Sequence, residues 1–294
     1  MTPVEPLSFQ SCALSDGRLL AYQCYGQVDG RPLYFFHGFP GSRLQAALLH
    51  EQALAAGVCL VAPDRPGFGR STPDPQRTIS GWSADVAQLA DHLGHERFGV
   101  LGVSCGGPYA LACASAMPSR LEYVGLLAGI GPMNVPSIRQ GQLPLLRLMF
   151  AAARINPLLI APLLLLDYVM FRASPERAVR ALAAMLTAPD QQLLASDPQG
   201  AAEFGASLAE AYHQGIRGAM REAHLIGRGL DFALEGITLP VHIYQSGADR
   251  NVPPAMGRYL AERIPGGRLH DYPEEGHLSV VVHGFRDCLR DFLR

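Results

Sequence analysis

The chain contains no lysine: all 24 residues of its Lys+Arg count are arginine, in a sequence of 294 residues. That absence excludes a phosphate-holding P-loop lysine, a Schiff base with a carbonyl substrate and a Ser-Lys dyad. Charge is sparse as well. Charged residues make up 17% of the chain and the net charge is -2. With no basic run and no platform of aromatics interleaved with arginine, nucleic acid is not expected as a partner. The six cysteines, Cys12, Cys24, Cys59, Cys105, Cys113 and Cys288, form no CxxC pair and mostly sit in apolar stretches. They read as buried reduced thiols. No metal-ligand spacing such as HExxH is present, so neither a metal nor another cofactor is expected. Met1 to Pro6 lacks the basic and apolar regions of a signal peptide, which makes a cytoplasmic location the default expectation. One apolar stretch, Ile155 to Phe171, has about the minimum length to cross hydrocarbon, but Asn156, Pro157, Pro162 and Asp167 interrupt it. A spanning helix is therefore not expected, while peripheral contact with a lipid surface stays open.

What is present is a globular composition, with 48% hydrophobic residues, and a repeated alternation of strand, loop and helix patterns. Leu33 to Phe36, Val58 to Ala62 and Phe98 to Leu101 are short apolar runs of buried-strand length, and Tyr109 to Ala114 continues as a small-residue helix. Between the last strand and that helix stands Gly102-Val103-Ser104-Cys105-Gly106. A strand that turns at once into a helix must fold back at Ser104. Gly102 and Gly106 then remove Cβ atoms where neighbouring backbone approaches, and the serine hydroxyl points out of the sheet edge. Amides at the new helix start, above all the Cys105 N–H, face the place where an oxyanion would form. The Cys105 thiol is an alternative nucleophile, but the elbow exposes the position before it. Taken alone, GxSxG fits a glycine-rich turn equally well.

The context is more specific. The first of those strands runs into His37-Gly38-Phe39-Pro40-Gly41-Ser42, and the second into Asp64-Arg65-Pro66-Gly67-Phe68-Gly69-Arg70-Ser71. With these segments in this order the chain resembles the α/β-hydrolase superfamily, in which an HGxP loop, a DRxGxGxS loop and a GxSxG elbow follow one another. The resemblance implies that the Phe39 and Cys105 amides form an oxyanion hole and that Ser104 is the nucleophile. His37, Gly38 and Pro40 would shape the loop rather than react.

A serine needs a base, and the base an orienting partner. Of the ten histidines, His50, His92 and His95 lie in or beside helix patterns, His242 is inside an apolar strand, and His270 alternates within Arg268 to Tyr272. These read as surface or packing residues. His277 ends the loop Pro273 to His277, between the last strand and a terminal amphipathic helix, where the family carries its base. His283 is the runner-up, inside that helix pattern. For the acid, the family's GxxDxxVP turn corresponds to Gly247 to Pro253 and assigns Asp249, whose alternative role is to cap the helix near Pro254. Asp271, Asp231 and Glu235 are the next choices. The order Ser104, Asp249, His277 matches the family's triad order.

After the strand Val124 to Ala128, strand patterns vanish from about residue 133 to 235, and Pro136, Pro144, Pro157, Pro162, Pro175, Pro189 and Pro198 divide the segment into short helices. The resemblance makes 133–235 a helical cap over a core built from 1–132 and 236–294. That core is expected to be a mostly parallel eight-stranded sheet flanked by helices, an α/β-hydrolase fold, with an antiparallel edge from strands near Leu7 to Leu14 and Arg18 to Tyr25. A pocket walled by Leu158, Leu159, Ile160, Leu163, Leu164, Leu165, Met170 and Phe171 would favour an apolar acyl or alkyl group.

The expected reaction is hydrolysis of carboxylic esters through an acyl-enzyme. Thioesterase, C–C hydrolase and perhydrolase chemistry share the same triad, and a ligand receptor that retains the triad is the alternative from another class. Epoxide hydrolases and dehalogenases carry an aspartate at the elbow, which sets them apart from a chain with Ser104. Proline iminopeptidases favour a second glycine where Phe39 stands, so peptide cleavage ranks lower. Oligomeric state is not legible in the sequence.

Overall fold

The computed structural model describes residues 9–294. The leader expectation at Met1 to Pro6, and the first residues of the strand expected from Leu7, lie outside the described residues. From there the chain runs β1 (Gln10–Ala13), β2 (Leu19–Gly26), β3 (Arg31–Phe36), α1 (His50–Ala55), β4 (Val58–Pro63), α2 (Trp82–His92), β5 (Phe98–Val103), α3 (Gly107–Ala116) and β6 (Leu121–Leu127). Six helices follow before the next strand: α4 (Pro144–Ile155), α5 (Ala161–Ala173), α6 (Pro175–Ala183), α7 (Ala188–Ser196), α8 (Pro198–Ala211) and α9 (Arg217–Arg228). The sheet then resumes with β7 (Val241–Ser246), α10 (Pro254–Arg263), β8 (Gly267–Tyr272) and α11 (Ser279–Leu293).

All eight strands form one sheet in the order β1-β2-β4-β3-β5-β6-β7-β8. The β1/β2 and β2/β4 pairs are antiparallel and every other pair is parallel, so the α/β-hydrolase fold and its antiparallel edge are as expected. Parallel strands covered by helices on both faces read as unbroken apolar runs. Side chains alternate between the faces: Tyr34, Phe36 and Val100 pack in the core that includes Val86 and Leu111, whereas Leu33, Phe35 and Leu101 pack with Phe285, Leu289 and Phe292 of α11.

The stretch Ile155 to Phe171 is not one helix. Ile155 ends α4, the Asn156 side chain accepts the Leu158 N–H at 2.9 Å, and α5 starts only at Ala161. Among the described residues no helix is long and apolar enough to cross a membrane. The expected apolar wall needs correction here. Ile160, Leu164 and Phe171 are buried, but Leu158, Leu159 and Leu165 are 66%, 59% and 51% exposed. Because α5 is apolar around most of its circumference, its sequence does not say which side meets α6 and α8; one side packs there and the other faces outward.

Candidate active site

In parallel strands the carboxyl ends share one edge. Val103 of β5 is in register with Leu127, Leu127 with Tyr244, and Ser246 of β7 with Tyr272 of β8. Ser104, Asp249 and His277 each follow one of these strand ends, separated laterally only by the sheet's spacing of about 4.8 Å per strand. Ser104 is 9% exposed and has φ +53°, the left-handed region that L-residues enter only at a cost. Its carbonyl is held by the Ile130 N–H at 3.0 Å. The two elbow glycines have steric causes: a Cβ on Gly102 would lie 2.5 Å from the Gly106 carbonyl oxygen, and one on Gly106 would collide with the Phe36 carbonyl.

The loop after β3 lies against this elbow. A Cβ at Gly38 would stand 3.5 Å from Ser104 Cβ, and the Gly38 N–H donates to Gln45 Oε1 at 2.7 Å. The Phe39 and Cys105 amides donate to no protein acceptor among the described residues, which leaves both free for an incoming oxygen. Burial pushes the Cys105 thiol far above its ordinary pKa, so it is not a thiolate. His37 is fully buried, with Nδ1 2.9 Å from the Gly38 carbonyl and Nε2 accepting the Arg65 N–H at 3.2 Å. Burial, helped by the Arg65 charge, holds its pKa well below the usual histidine value. A neutral ring with both nitrogens occupied is a loop brace.

His277 Nδ1 lies 2.7 Å from Asp249 Oδ2, and the Asp249 side chain is fully buried. The other oxygen, Oδ1, accepts the Asn251 and Val252 amides at 2.7 and 2.9 Å. The two roles weighed for Asp249 are therefore divided between its oxygens: one orders the turn, the other holds the imidazole. Burial, the largest influence, pulls the His277 pKa down, but the Asp249 charge and hydrogen bond and the Asp190 charge outweigh it, and the net shift is upward. Among the described residues Ser104 makes no hydrogen bond to His277 or Asp249. Catalytic hydrogen bonds are often long in ligand-free sites and tighten with substrate.

The competing candidates have other partners. His283 pairs with Glu275 at 2.8 Å, Asp231 accepts from Ser80, Glu235 pairs with Arg263 at 3.1 Å, and Asp271 is exposed on β8. His50 accepts the Gly26 N–H at 3.0 Å, and His95 meets the Tyr34 hydroxyl at 2.9 Å.

Two contributors escaped the sequence reading. Asp190, in the first turn of α7, is 1% exposed. Its Oδ2 accepts the His277 N–H at 2.9 Å and its Oδ1 accepts the Leu278 and Ser279 amides at 2.8 and 2.9 Å. These are the free donors at the start of α11, so a carboxylate from the helical insertion caps that helix. The second is a fully buried pair, Arg65 and Glu222 of α9, with Nη2 2.8 Å from Oε1. Arg65 also donates to the His37 and Gly38 carbonyls at 2.5 and 2.9 Å, bracing the loop that carries the Phe39 amide.

The sequence model of the alpha/beta hydrolase fold family matches residues 31–284. The chain is 37% identical over 116 residues to the dihydrolipoyllysine-residue acetyltransferase component of the acetoin cleaving system of Pseudomonas putida, a match covering 39% of this chain and 31% of that protein. It is 29% identical over 292 residues to a protein of Caulobacter sp. (strain K31) to which the role of carbamate hydrolase RutD is ascribed, covering 91% of this chain and 97% of that protein. In three of the curated relatives the match spans less than half of their length, 31%, 39% and 45%. Among solved structures, a hydrolase from Pseudomonas aeruginosa PA01 superposes with a TM-score of 0.72 at 21% identity, covering 98% of this chain and 99% of that one.

Proposed function

Because the chain belongs to the alpha/beta hydrolase fold family, we propose that it is a serine hydrolase that cleaves carboxylic esters through an acyl-enzyme on Ser104. The observation that carries this reading is the 2.7 Å contact between His277 Nδ1 and Asp249 Oδ2, at the sheet edge where Ser104 occupies its left-handed elbow. Asp249 holds the imidazole in the tautomer whose Nε2 is free to accept the serine proton, and stabilises the imidazolium that results. The serine oxygen bonds to the ester carbon as the carbonyl π pair moves onto oxygen, where the Phe39 and Cys105 amides receive it. When the tetrahedral adduct collapses, the C–O bond to the alcohol breaks and His277 returns the proton to the leaving oxygen. Water then repeats both steps on the acyl-enzyme, releasing the carboxylic acid and restoring Ser104.

The insertion, residues 133–235, acts in this reading as the cap that selects substrate. Phe39 packs beside Phe68 and beside Phe150 of α4, with ring centroids 6.5 and 6.1 Å apart. An aromatic wall next to the oxyanion amides supports an apolar acyl or alkyl group. The end-to-end likeness to a protein ascribed carbamate hydrolysis favours carbamates as a second substrate class for the same triad.

Active-site labelling tests the site. A fluorophosphonate should modify Ser104 alone, and Ser104→Ala should lose at least about 1000-fold in short-chain ester turnover. Labelling elsewhere rejects the site; full turnover by the alanine variant rejects the mechanism. A parallel series of esters, thioesters, carbamates and amides with one common acyl group identifies the bond type.

A further inference from the structure

Far from Ser104, on the face of the sheet covered by α11, three side chains converge. His242 is the second residue of β7, His270 lies in the edge strand β8, and Asp291 is in the last turn of α11. His242 Nδ1 is 3.2 Å from His270 Nε2 and 3.4 Å from Asp291 Oδ2, and His270 Nε2 is 3.8 Å from the same oxygen. Both histidines read from sequence as surface or packing residues, yet their nitrogens face each other and a carboxylate.

We propose that His242, His270 and Asp291 form a binding site for a divalent zinc-class cation, with the open coordination position taken by water. The histidine-to-carboxylate contacts of the cluster are long for hydrogen bonds. The one hydrogen His242 Nδ1 can carry serves either His270 or Asp291, and the two histidine-to-carboxylate separations exceed the roughly 2.7–2.9 Å of a good charge-assisted bond. A tetrahedral ion with arms of about 2.0–2.1 Å spaces its ligand atoms about 3.3–3.4 Å apart. Two of the three separations fall within about 0.2 Å of that edge and the third within about 0.5 Å.

The ligand set of two imidazoles and one carboxylate suits zinc among the common divalent ions. The surroundings orient the carboxylate. The Tyr244 hydroxyl donates to Asp291 Oδ2 at 2.8 Å and is itself 3.0 Å from the Tyr123 hydroxyl, while Arg294 reaches Asp291 Oδ1 at 3.2 Å. These partners hold the carboxylate in place, as hydrogen-bonded neighbours hold metal-ligating carboxylates. Asp291 and His242 have side chains 6% and 11% exposed, and His270 is 30% exposed, so an ion has a solvent route. His242 lies four residues before the end of β7, about 13 Å below the edge that carries Ser104. Bound there, a cation ties the edge strand and the last helix to β7 and takes no part in ester cleavage.

The test uses the full chain after chelator treatment and dialysis. Zn2+ titrated by calorimetry should bind one equivalent with a dissociation constant below about 10 μM, and Co2+ should give the intense visible band of a tetrahedral site. His270→Ala and Asp291→Asn should each weaken Zn2+ binding by at least about 100-fold. His270→Gln, which keeps the bulk of this partly exposed side chain, guards against loss of fold, checked by circular dichroism. Ester turnover should be the same with and without Zn2+ and in all three variants. Absence of binding tighter than about 1 mM, or stoichiometric binding retained in the His270 and Asp291 variants, overturns the site whether or not Ser104 is the nucleophile.

Discussion

Asp190 accepts the main-chain N–H of His277 at 2.9 Å, so a carboxylate carried by the helical insertion holds the loop that presents the proposed base. Other acids of the insertion act in the same way. Glu210 of α8 meets Arg43 and Arg70 at 2.7 and 2.8 Å, and Glu222 of α9 meets Arg65 and Arg77 at 2.8 and 2.7 Å. The insertion is thereby fastened to the loops after β3, β4 and β8. If the insertion selects substrate as proposed, that selection and the placement of the proposed catalytic groups are mechanically linked.

Asp190→Asn measures that link. The general base must be neutral to take the serine proton, and His277 has a pKa raised above the ordinary histidine value. In the native protein kcat/KM should therefore fall with decreasing pH through a value above about 6.5. Removing the Asp190 charge withdraws one of the influences that raise this pKa, so the acid limb should move to lower pH. The amide side chain has one accepting oxygen in place of two, leaving amides at the start of α11 unpaired, and kcat/KM at its plateau should fall about 10-fold. A pH–rate profile reads both. An unchanged acid limb would leave Asp190 as a structural cap only.

The elbow at Ser104 is legible as a turn from two glycines, a strand before and a helix after, but its reading as a nucleophile comes from the HGxP and DRxGxGxS segments that precede it. Asp249 and His277 are assigned by the resemblance, whose GxxDxxVP turn and base-carrying loop match the segments after β7 and β8; strand and helix patterns alone do not single them out. Asp190 was not legible, since its main-chain partner is 87 residues away. Its spacing of three from Thr187, with a hydroxyl contact of 3.1 Å, looks like an ordinary cap of its own helix. Arg65 and Glu222 sat in plain view as a charged loop and a charged helix, and only packing makes the pair fully buried. Leu158 and Leu159 lie in the short turn before α5 and Leu165 on the outward side of α5; in so apolar a stretch, periodicity does not say which residues face outward. His242 and His270 lie on adjacent strands, diagonal to one another in the register, a relation that alternation within either strand does not reveal.

The elbow conformation has an energetic signature. At φ +53° a residue with a Cβ is disfavoured by about 1–2 kcal/mol, and glycine is not. Glycine also gains freedom in the unfolded chain, which offsets part of that difference. Ser104→Gly should therefore be more stable than Ser104→Ala by about 0.5–1 kcal/mol in urea unfolding, although both remove the hydroxyl. Equal midpoints for the two variants would show that the elbow relaxes once the serine is gone.

Glu222→Gln tests the brace beneath the proposed oxyanion loop. Glu222 and Arg65 are fully buried, and Arg77 and the Tyr109 hydroxyl reach the same carboxylate at 2.7 Å. Burial works to raise the Glu222 pKa, but the Arg65 and Arg77 charges outweigh it and the net shift is downward. The acid is thus ionised at neutral pH. Its contribution to stability is present above the unfolded glutamate value of about 4.3 and is lost as pH falls through the lower folded value. Glutamine keeps the shape and removes the charge, stranding two buried guanidiniums; one-sided disruption of a buried pair costs about 3–5 kcal/mol. The variant should lose that much at pH 7 in denaturant unfolding, with the loss shrinking as pH falls through the lowered folded value, where the native protein surrenders the same charge. Because Arg65 also holds the His37 and Gly38 carbonyls, the Phe39 amide loses its fixed aim, and kcat should fall more than KM rises. A stability change below about 1 kcal/mol at pH 7 would mean that Arg65 and Arg77 find other partners, and the brace would have to be sought in Gln45, whose Oε1 accepts the Gly38 amide.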